Sequence, residues 1–355
     1  MSENPSKLKL AIFWFGLLSL AGLLLLGGIE VLLRIALKRT LTAETGFPLV
    51  SSDVPGLKYQ LAPNHRADGI ETDSNGFRVR PNSARARYNI LVVGDSVSFG
   101  SGVPYEKSYV PLLETRLNRT LGDSVAVWNA AVPGYNTSQE AAMLDRAAPV
   151  VHPDLVVLQF CMNDYLDAPT LTPGGNLDQS SSIVEGGSHF TPLAFLYRSV
   201  ALVFLKEKFK DLQRARPDWF PVWAHYIHYI QRKPGWERAK EALVRVQKSA
   251  TNMHAGLVVI VFPVEQQLRI PDRAAQDDLI QFMHLHGINS LDLYPSFQAH
   301  WREGLYINFW AQVKQFDKLH PNERGHALAS EEIADYLVAS KAQFLNDKAS
   351  LISKR

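Results

Sequence analysis

Four short stretches carry residue types from which nucleophilic acyl chemistry can be built. The first, Gly94-Asp95-Ser96-Val97-Ser98-Phe99-Gly100, sets a serine among small and acidic neighbours directly after an apolar run. The second, Trp128-Asn129-Ala130-Ala131-Val132-Pro133-Gly134-Tyr135, closes another apolar run with Gly134, whose backbone N–H can approach a ligand with no Cβ in the way. The third, Phe160-Cys161-Met162-Asn163-Asp164, offers the Asn163 amide as a hydrogen-bond donor. The fourth, Phe316-Asp317-Lys318-Leu319-His320-Pro321-Asn322, places an aspartate three residues before a histidine, so that its carboxylate can reach imidazole Nδ1 and leave Nε2 to face a nucleophile. A serine hydroxyl is too weakly acidic to attack unaided near neutral pH, and an imidazole with an ordinary pKa of about 6.5 is suited to shuttle its proton. Each fragment alone is common, since glycine, aspartate and serine are also what a strand-to-helix turn requires. The four in this order, each at the end of an apolar run, are not.

The elements that must position these residues are legible as β-branched runs alternating with helical text. The runs are NILVVG (89–94), VAVWNAA (125–131), DLVVLQF (154–160), GLVVIVF (256–262) and INSLDLY (288–294). Near-continuous apolar strands are buried on both faces, which predicts a central five-stranded parallel sheet between helix layers: a three-layer α/β domain with right-handed crossovers. Helices are predicted near 105–121, 137–147, 237–254, 274–286 and 323–344. Ligands of open α/β sheets bind at the carboxyl ends of strands, where all four motifs fall.

Residues 41–88 carry Pro48, Pro55, Gly56, Pro63, Gly69, Asn75, Gly76 and Pro81, too much punctuation for a long helix, and read as a lead-in of loops and short strands that covers a sheet edge. Between the third and fourth strands the chain is too long for one crossover, and residues 166–236 read as a helical, aromatic-rich insertion forming a cap. Its Phe195, Tyr197, Phe204, Phe209, Trp219, Phe220, Trp223, Tyr226, Tyr229 and Trp236 fit a small core of the insertion better than a groove for a sugar or acyl chain.

On these motifs the chain resembles the SGNH hydrolases, or GDSL-type esterases, over residues 89–340, as a membrane-anchored member of bacterial type. The family's four blocks match Gly94-Asp95-Ser96, Gly134, Asn163-Asp164 and Asp317 to His320. Two positions depart from the pattern: Val97 stands where the family has leucine, and Cys161 stands where it has a glycine two residues before the asparagine. The resemblance implies a flavodoxin-like sheet, and a Ser96 nucleophile outside the G-x-S-x-G elbow, a motif absent from this sequence. It further implies His320 as general base, Asp317 as its orienting acid, and an oxyanion hole from the Ser96 and Gly134 backbone N–H groups with the Asn163 amide. Asp95 and Asp164 then hold loops through backbone hydrogen bonds. The implied reaction is hydrolysis of an O-acyl or O-acetyl ester of an envelope glycan or lipid. An acyltransferase uses the same acyl-enzyme with a sugar hydroxyl as acceptor. A non-catalytic scaffold has no physical need for Ser96, Asn163, Asp317 and His320 together.

The 355 residues carry 37 basic and 35 acidic side chains and 46% hydrophobic residues. That supports a sizeable core, excludes disorder, and leaves no basic face for nucleic acid. The lone cysteine, Cys161, permits no internal disulfide. No metal or other cofactor is expected. His225 with His228, His284 with His286 and His320 with His326 lack an H-E-x-x-H frame, and Gly94 to Gly102 lacks the spacing of a phosphate-binding loop. Asp292 is read as ending the fifth strand and not as a triad acid.

Residues 10–29 hold twenty positions without a charge, about the thickness of a hydrocarbon core, and are read as one transmembrane helix. The alternative of a cleaved signal peptide is disfavoured because the run exceeds a usual h-region and no small-x-small site follows. Lys7 and Lys9 before the span and Arg34, Lys38 and Arg39 after it balance each other. The catalytic domain is placed in the periplasm or another extracytoplasmic space because long following domains translocate largely regardless of flanking charge. The chain thus divides into a segment with the helix (1–40), the lead-in (41–88), the main domain (89–345) with its insertion, and a tail (346–355).

Overall fold

The computed structural model describes residues 5–40, 46–79, 88–121, 125–171, 177–178, 233–269, 271–307 and 319–340. Most of the aromatic insertion, the tail and Asp317 lie outside the described residues. Its first element is helix α1 (Pro5–Thr40), in which Ile12–Leu32 form a 21-residue apolar stretch of mean hydropathy 2.2. At 1.5 Å per residue this spans about 31 Å, so by length and composition it can cross a membrane. It belongs to a unit separate from the body formed by residues 44–186 and 224–355.

The body opens with short antiparallel pairs, β1 (Leu49–Ser51) with β2 (Tyr59–Leu61) and β3 (Arg66–Ala67) with β4 (Ile70–Glu71). The central sheet comprises β5 (Tyr88–Val93), β6 (Val125–Asn129), β7 (Leu155–Cys161), β10 (Gly256–Phe262) and β11 (Ser290–Asp292), all parallel, with β8 (Thr170–Leu171) and β9 (Leu177–Asp178) pairing outside it. Its strand order is β11-β10-β7-β5-β6, the flavodoxin-like arrangement, whose order reverses between β5 and β7. The sequence resemblance implied this sheet, and the edge at β6 is met by the lead-in, where Arg78 N–H donates to the Asn129 carbonyl at 3.0 Å.

Strand alternation sends side chains into two separate cores. Leu91, Val93, Val156, Leu158, Phe160, Val259 and Val261 fill one layer. Ile90, Val92, Leu155, Val157, Val258, Ile260 and Phe262 fill the other. The first layer is closed by α4 (Thr137–Val151), α5 (Pro234–Asn252) and α7 (Ala274–Leu285), the second by α3 (Tyr109–Leu121), α8 (Tyr294–His300) and α9 (Glu323–Ala339); α2 (Ser96–Phe99) and α6 (Glu265–Arg269) are single turns. On α5 the stripe Trp236, Ala239, Leu243, Val246 and Ala250 repeats every three or four residues, which is why one face of the helix is buried. Trp236, the one described member of the insertion's aromatic set, packs edge-on against Phe160 and thus belongs to the main core.

The helix expected from residue 105 is divided. The chain turns into α2 at Ser96 itself, leaves it through Gly100 at φ 86°, makes a 3-10 turn at Tyr105–Lys107 and starts α3 at Tyr109. Asp292 ends β11, as expected. It accepts from Arg273 and Gln276 and from the Tyr294 N–H at 2.9 Å, which orders the β11–α8 corner.

Candidate active site

The reversal of strand order leaves a crevice beyond the carboxyl ends of β5 and β7, and there the chain sets its serine. Asp95 is the N-cap of α2: its Oδ1 accepts the Val97 N–H at 2.8 Å, which makes Ser96 the first residue of a helical turn. A first-turn N–H has no intrahelical acceptor and is available to a ligand. Gly94 cannot be larger, because a Cβ there would lie 2.6 Å from Ser98 Oγ and 2.7 Å from Gln159 Oε1.

His320 reaches Ser96 from 224 residues away, its Nε2 lying 2.7 Å from Ser96 Oγ, with Ser96 7% and His320 5% exposed. The loop that carries it is pinned on both sides. Ile307 N–H donates to the His320 carbonyl at 2.9 Å and Asn322 N–H to the Leu305 carbonyl at 2.9 Å, while Asn322 Oδ1 caps α9 through the Arg324 and Gly325 N–H groups. Asn163 follows β7 and its Nδ2 donates to Asp95 Oδ2 at 3.2 Å, which joins the third motif to the first. Asp164 is buried and accepts from Thr137 Oγ1 at 2.9 Å. Burial, and then Asp95, raise its carboxyl well above the ordinary carboxylate range. The departure at Cys161 is accommodated by complete burial at the strand end, which with the nearby aspartates pushes its thiol up and makes it a packing residue.

Gly134 holds φ +80° in the turn after β6, two residues beyond Val132, whose N–H donates to the Gly94 carbonyl at 3.1 Å. A Cβ at 134 would meet Tyr59 Oη at 2.9 Å and Pro169 Cγ at 3.0 Å. Tyr59 cannot easily yield, because its hydroxyl donates to the Pro133 carbonyl at 3.1 Å. Gly134→Ala is therefore expected to destabilise the body by about 2–3 kcal/mol, from the left-handed backbone and the crowding together. Denaturant unfolding measures this, and an unchanged midpoint would show that the turn relaxes freely.

Further residues take part in this geometry without being singled out as site residues by the sequence. Gln159, in the middle of β7, accepts through Oε1 from Asp95 N–H (3.1 Å), Ser98 N–H (3.2 Å) and Ser98 Oγ (3.0 Å), so three donors fix its amide and suspend the serine turn from the neighbouring strand. Its signal was a polar letter inside the wholly apolar run DLVVLQF. Asn129 donates to the Ser98 carbonyl at 2.7 Å and likewise interrupts an apolar run. His326, buried on α9, accepts the Tyr109 N–H at Nδ1 (3.3 Å) and stacks on the Tyr109 ring. Burial, assisted by His320, lowers its pKa to about 3, so it stands neutral under the site.

Of the residues singled out from the sequence, Ser96, Asp95, Asn163 and His320 are joined by direct contacts, and Gly134 and Asp164 are fixed in the adjoining loops. Comparison with known proteins places this geometry in context. The family model described as the GDSL-like lipase/acylhydrolase family matches residues 92–328. An arylesterase of Vibrio mimicus is 33% identical over 104 residues, which is 29% of this chain and 52% of that protein, so the chain spans about half the length of the curated relative it matches. Among solved structures, the psychrotrophic esterase EstA from Pseudoalteromonas sp. is similar over 73% of this chain and 98% of its own, at 15% identity and TM-score 0.41. An acetylxylan esterase from Geobacillus stearothermophilus is similar over 71% of this chain and 94% of its own, at 13% identity and TM-score 0.41.

Proposed function

The chain belongs to the GDSL-like lipase/acylhydrolase family, and on that premise we propose that it is a serine ester hydrolase working through Ser96, His320 and Asp317. The observation that carries the reading is the 2.7 Å approach of His320 Nε2 to Ser96 Oγ. His320 takes the Oγ proton as Oγ bonds to the ester carbonyl carbon, and returns it to the alkoxide as the bond to the leaving alcohol breaks. Water then repeats the sequence on the acyl-enzyme, frees the acid and restores Ser96. Asp317 holds the imidazole tautomer in which Nε2 accepts. The charge on the carbonyl oxygen falls to the Ser96 and Gly134 N–H groups and to the Asn163 amide, donors in place before the charge forms.

The substrate is an O-acyl or O-acetyl ester of an envelope glycan or lipid. Support for this comes from α1, which in this reading spans the bilayer once and confines the body to esters near its extracytoplasmic surface. An alkyl fluorophosphonate tests the nucleophile without knowledge of the natural ester. Incubated with the full chain in detergent, it should add one phosphonyl group, located by peptide mass spectrometry on Ser96, at a rate that falls in His320→Ala. Labelling at another serine, or none, would overturn the reading.

A further inference from the structure

Behind the serine turn lies a carboxyl group that the reaction as described does not use. Glu140 sits on α4, one turn after Thr137 and on the same face. It is wholly buried, and neither carboxyl oxygen has a hydrogen-bond partner among the described residues. Among the described residues the ionisable groups that face it are Asp164 from the end of β7, Asp95 from the cap of α2 and Tyr109 from the start of α3, none of them a cation. The two aspartates have donors: Asp95 takes Val97 N–H and the Asn163 amide, and Asp164 takes the Thr137 hydroxyl. Glu140 has none. An ionised carboxylate buried from solvent beside two other carboxyl groups, with no counter-charge among the described residues, is costly, and the N-terminal dipole of α4 offsets only a small part of that penalty.

We propose that Glu140 is a positioning residue that keeps its carboxyl proton across the neutral range, so that it adds no charge to the carboxyl cluster formed with Asp95 and Asp164 beside Asn163. The inference rests on the reading of Asn163 as an oxyanion donor. Burial first, then Asp164 and Asp95, push the Glu140 carboxyl well above the ordinary range, and the Thr137 donor that tempers the same effect at Asp164 is missing at Glu140. Ionising Glu140 sets a further negative charge against the Asp95 and Asp164 carboxyls, the residues that flank Asn163 in space and in sequence. The oxyanion amide then loses its anchor, and kcat declines on the alkaline side while KM is little changed.

The retained proton also makes stability depend on pH in a definite direction. The unfolded glutamate ionises above about pH 4.3, whereas the folded one stays protonated, so stability falls as pH rises through that value until the folded group itself ionises. Glu140→Gln keeps the shape and carries no titrating proton. Its melting temperature relative to wild type should therefore rise by roughly 2–4 °C per pH unit above about pH 5 and level off where the folded carboxyl itself ionises. A protonated-carboxyl C=O stretch should be present in the infrared spectrum of the wild-type full chain in detergent at pH 7, shift on 13C-glutamate labelling, and vanish in Glu140→Gln. The alkaline decline of kcat should vanish with it. A wild-type spectrum without a protonated-glutamate band, or a melting difference flat across pH, would overturn the proposal. Should Glu140→Gln fail to fold, the band in labelled wild type decides alone. Fluorophosphonate labelling in the same samples reports Ser96 separately: a proton on Glu140 with Ser96 unlabelled leaves the inference without its catalytic role, and a labelled Ser96 with no such proton removes only Glu140.

Discussion

Ser96→Ala is expected to lower turnover of a short aryl acetate by the full chain by about four to six orders of magnitude, and His320→Ala to do nearly the same. In the proposed mechanism the two side chains make one device. On that mechanism, without Nε2 at 2.7 Å Oγ would keep its proton and could not attack, and without Oγ the imidazole would have nothing to deprotonate. The double variant should therefore be little worse than either single one, where two independent contributions would multiply. Steady-state rates on the three variants check this, with circular dichroism and thermal melts as controls for the fold. The melts should move little, since each change removes one hydrogen bond worth about 1 kcal/mol. Near-wild-type turnover in either single variant, or multiplicative losses in the double, would exclude the assigned mechanism.

Part of this arrangement is legible in the residues themselves. The β-branched runs made β5, β6, β7 and β10 readable, because strands buried on both faces leave no polar positions to confuse the pattern. The same purity was informative in its exceptions: Gln159 and Asn129, the polar residues inside two of these runs, are the side chains that suspend the serine turn. Periodicity carries no information about a hydrogen bond between strands, so their role waited on the structure. Tyr59 was hidden for a different reason. It braces Pro133 from 74 residues away, inside a lead-in whose proline and glycine content announces only loops. The helix expected over 105–121 starts only at Tyr109, after a separate turn at Ser96–Phe99, because Asp95, Gly100 and Gly102 read equally well as loop and as the cap and exit of a single turn. With Gly100 and Gly102 at φ 86° and 81°, the turn closes after four residues. Glu140 gave no signal either, since a glutamate early in a helix is ordinarily a solvated partner of the helix dipole. Only tertiary burial makes it unusual.

The second large effect is expected at Asn163. Its Nδ2 carries two hydrogens, and the one engaged by Asp95 Oδ2 at 3.2 Å sets the plane of the amide and so the direction of the other. In the proposed reaction that second N–H meets the carbonyl oxygen after it becomes tetrahedral and negative, and bonds the neutral carbonyl weakly. Its loss should therefore fall on kcat: Asn163→Ala is expected to lower kcat about 10² to 10³-fold, some 3–4 kcal/mol, with KM changed little. Ser96 should still be phosphonylated, more slowly, because the nucleophile and its base remain. Asn163→Asp is the sharper variant, since it fills the same volume while setting a carboxylate against Asp95 and against the developing oxyanion, and it should be worse than alanine. If instead KM rises while kcat holds, Asn163 binds the ground state and the oxyanion must be held by the backbone N–H groups alone. Rate and affinity measured on these two variants thus separate a donor that acts in the transition state from a residue that merely shapes the loop.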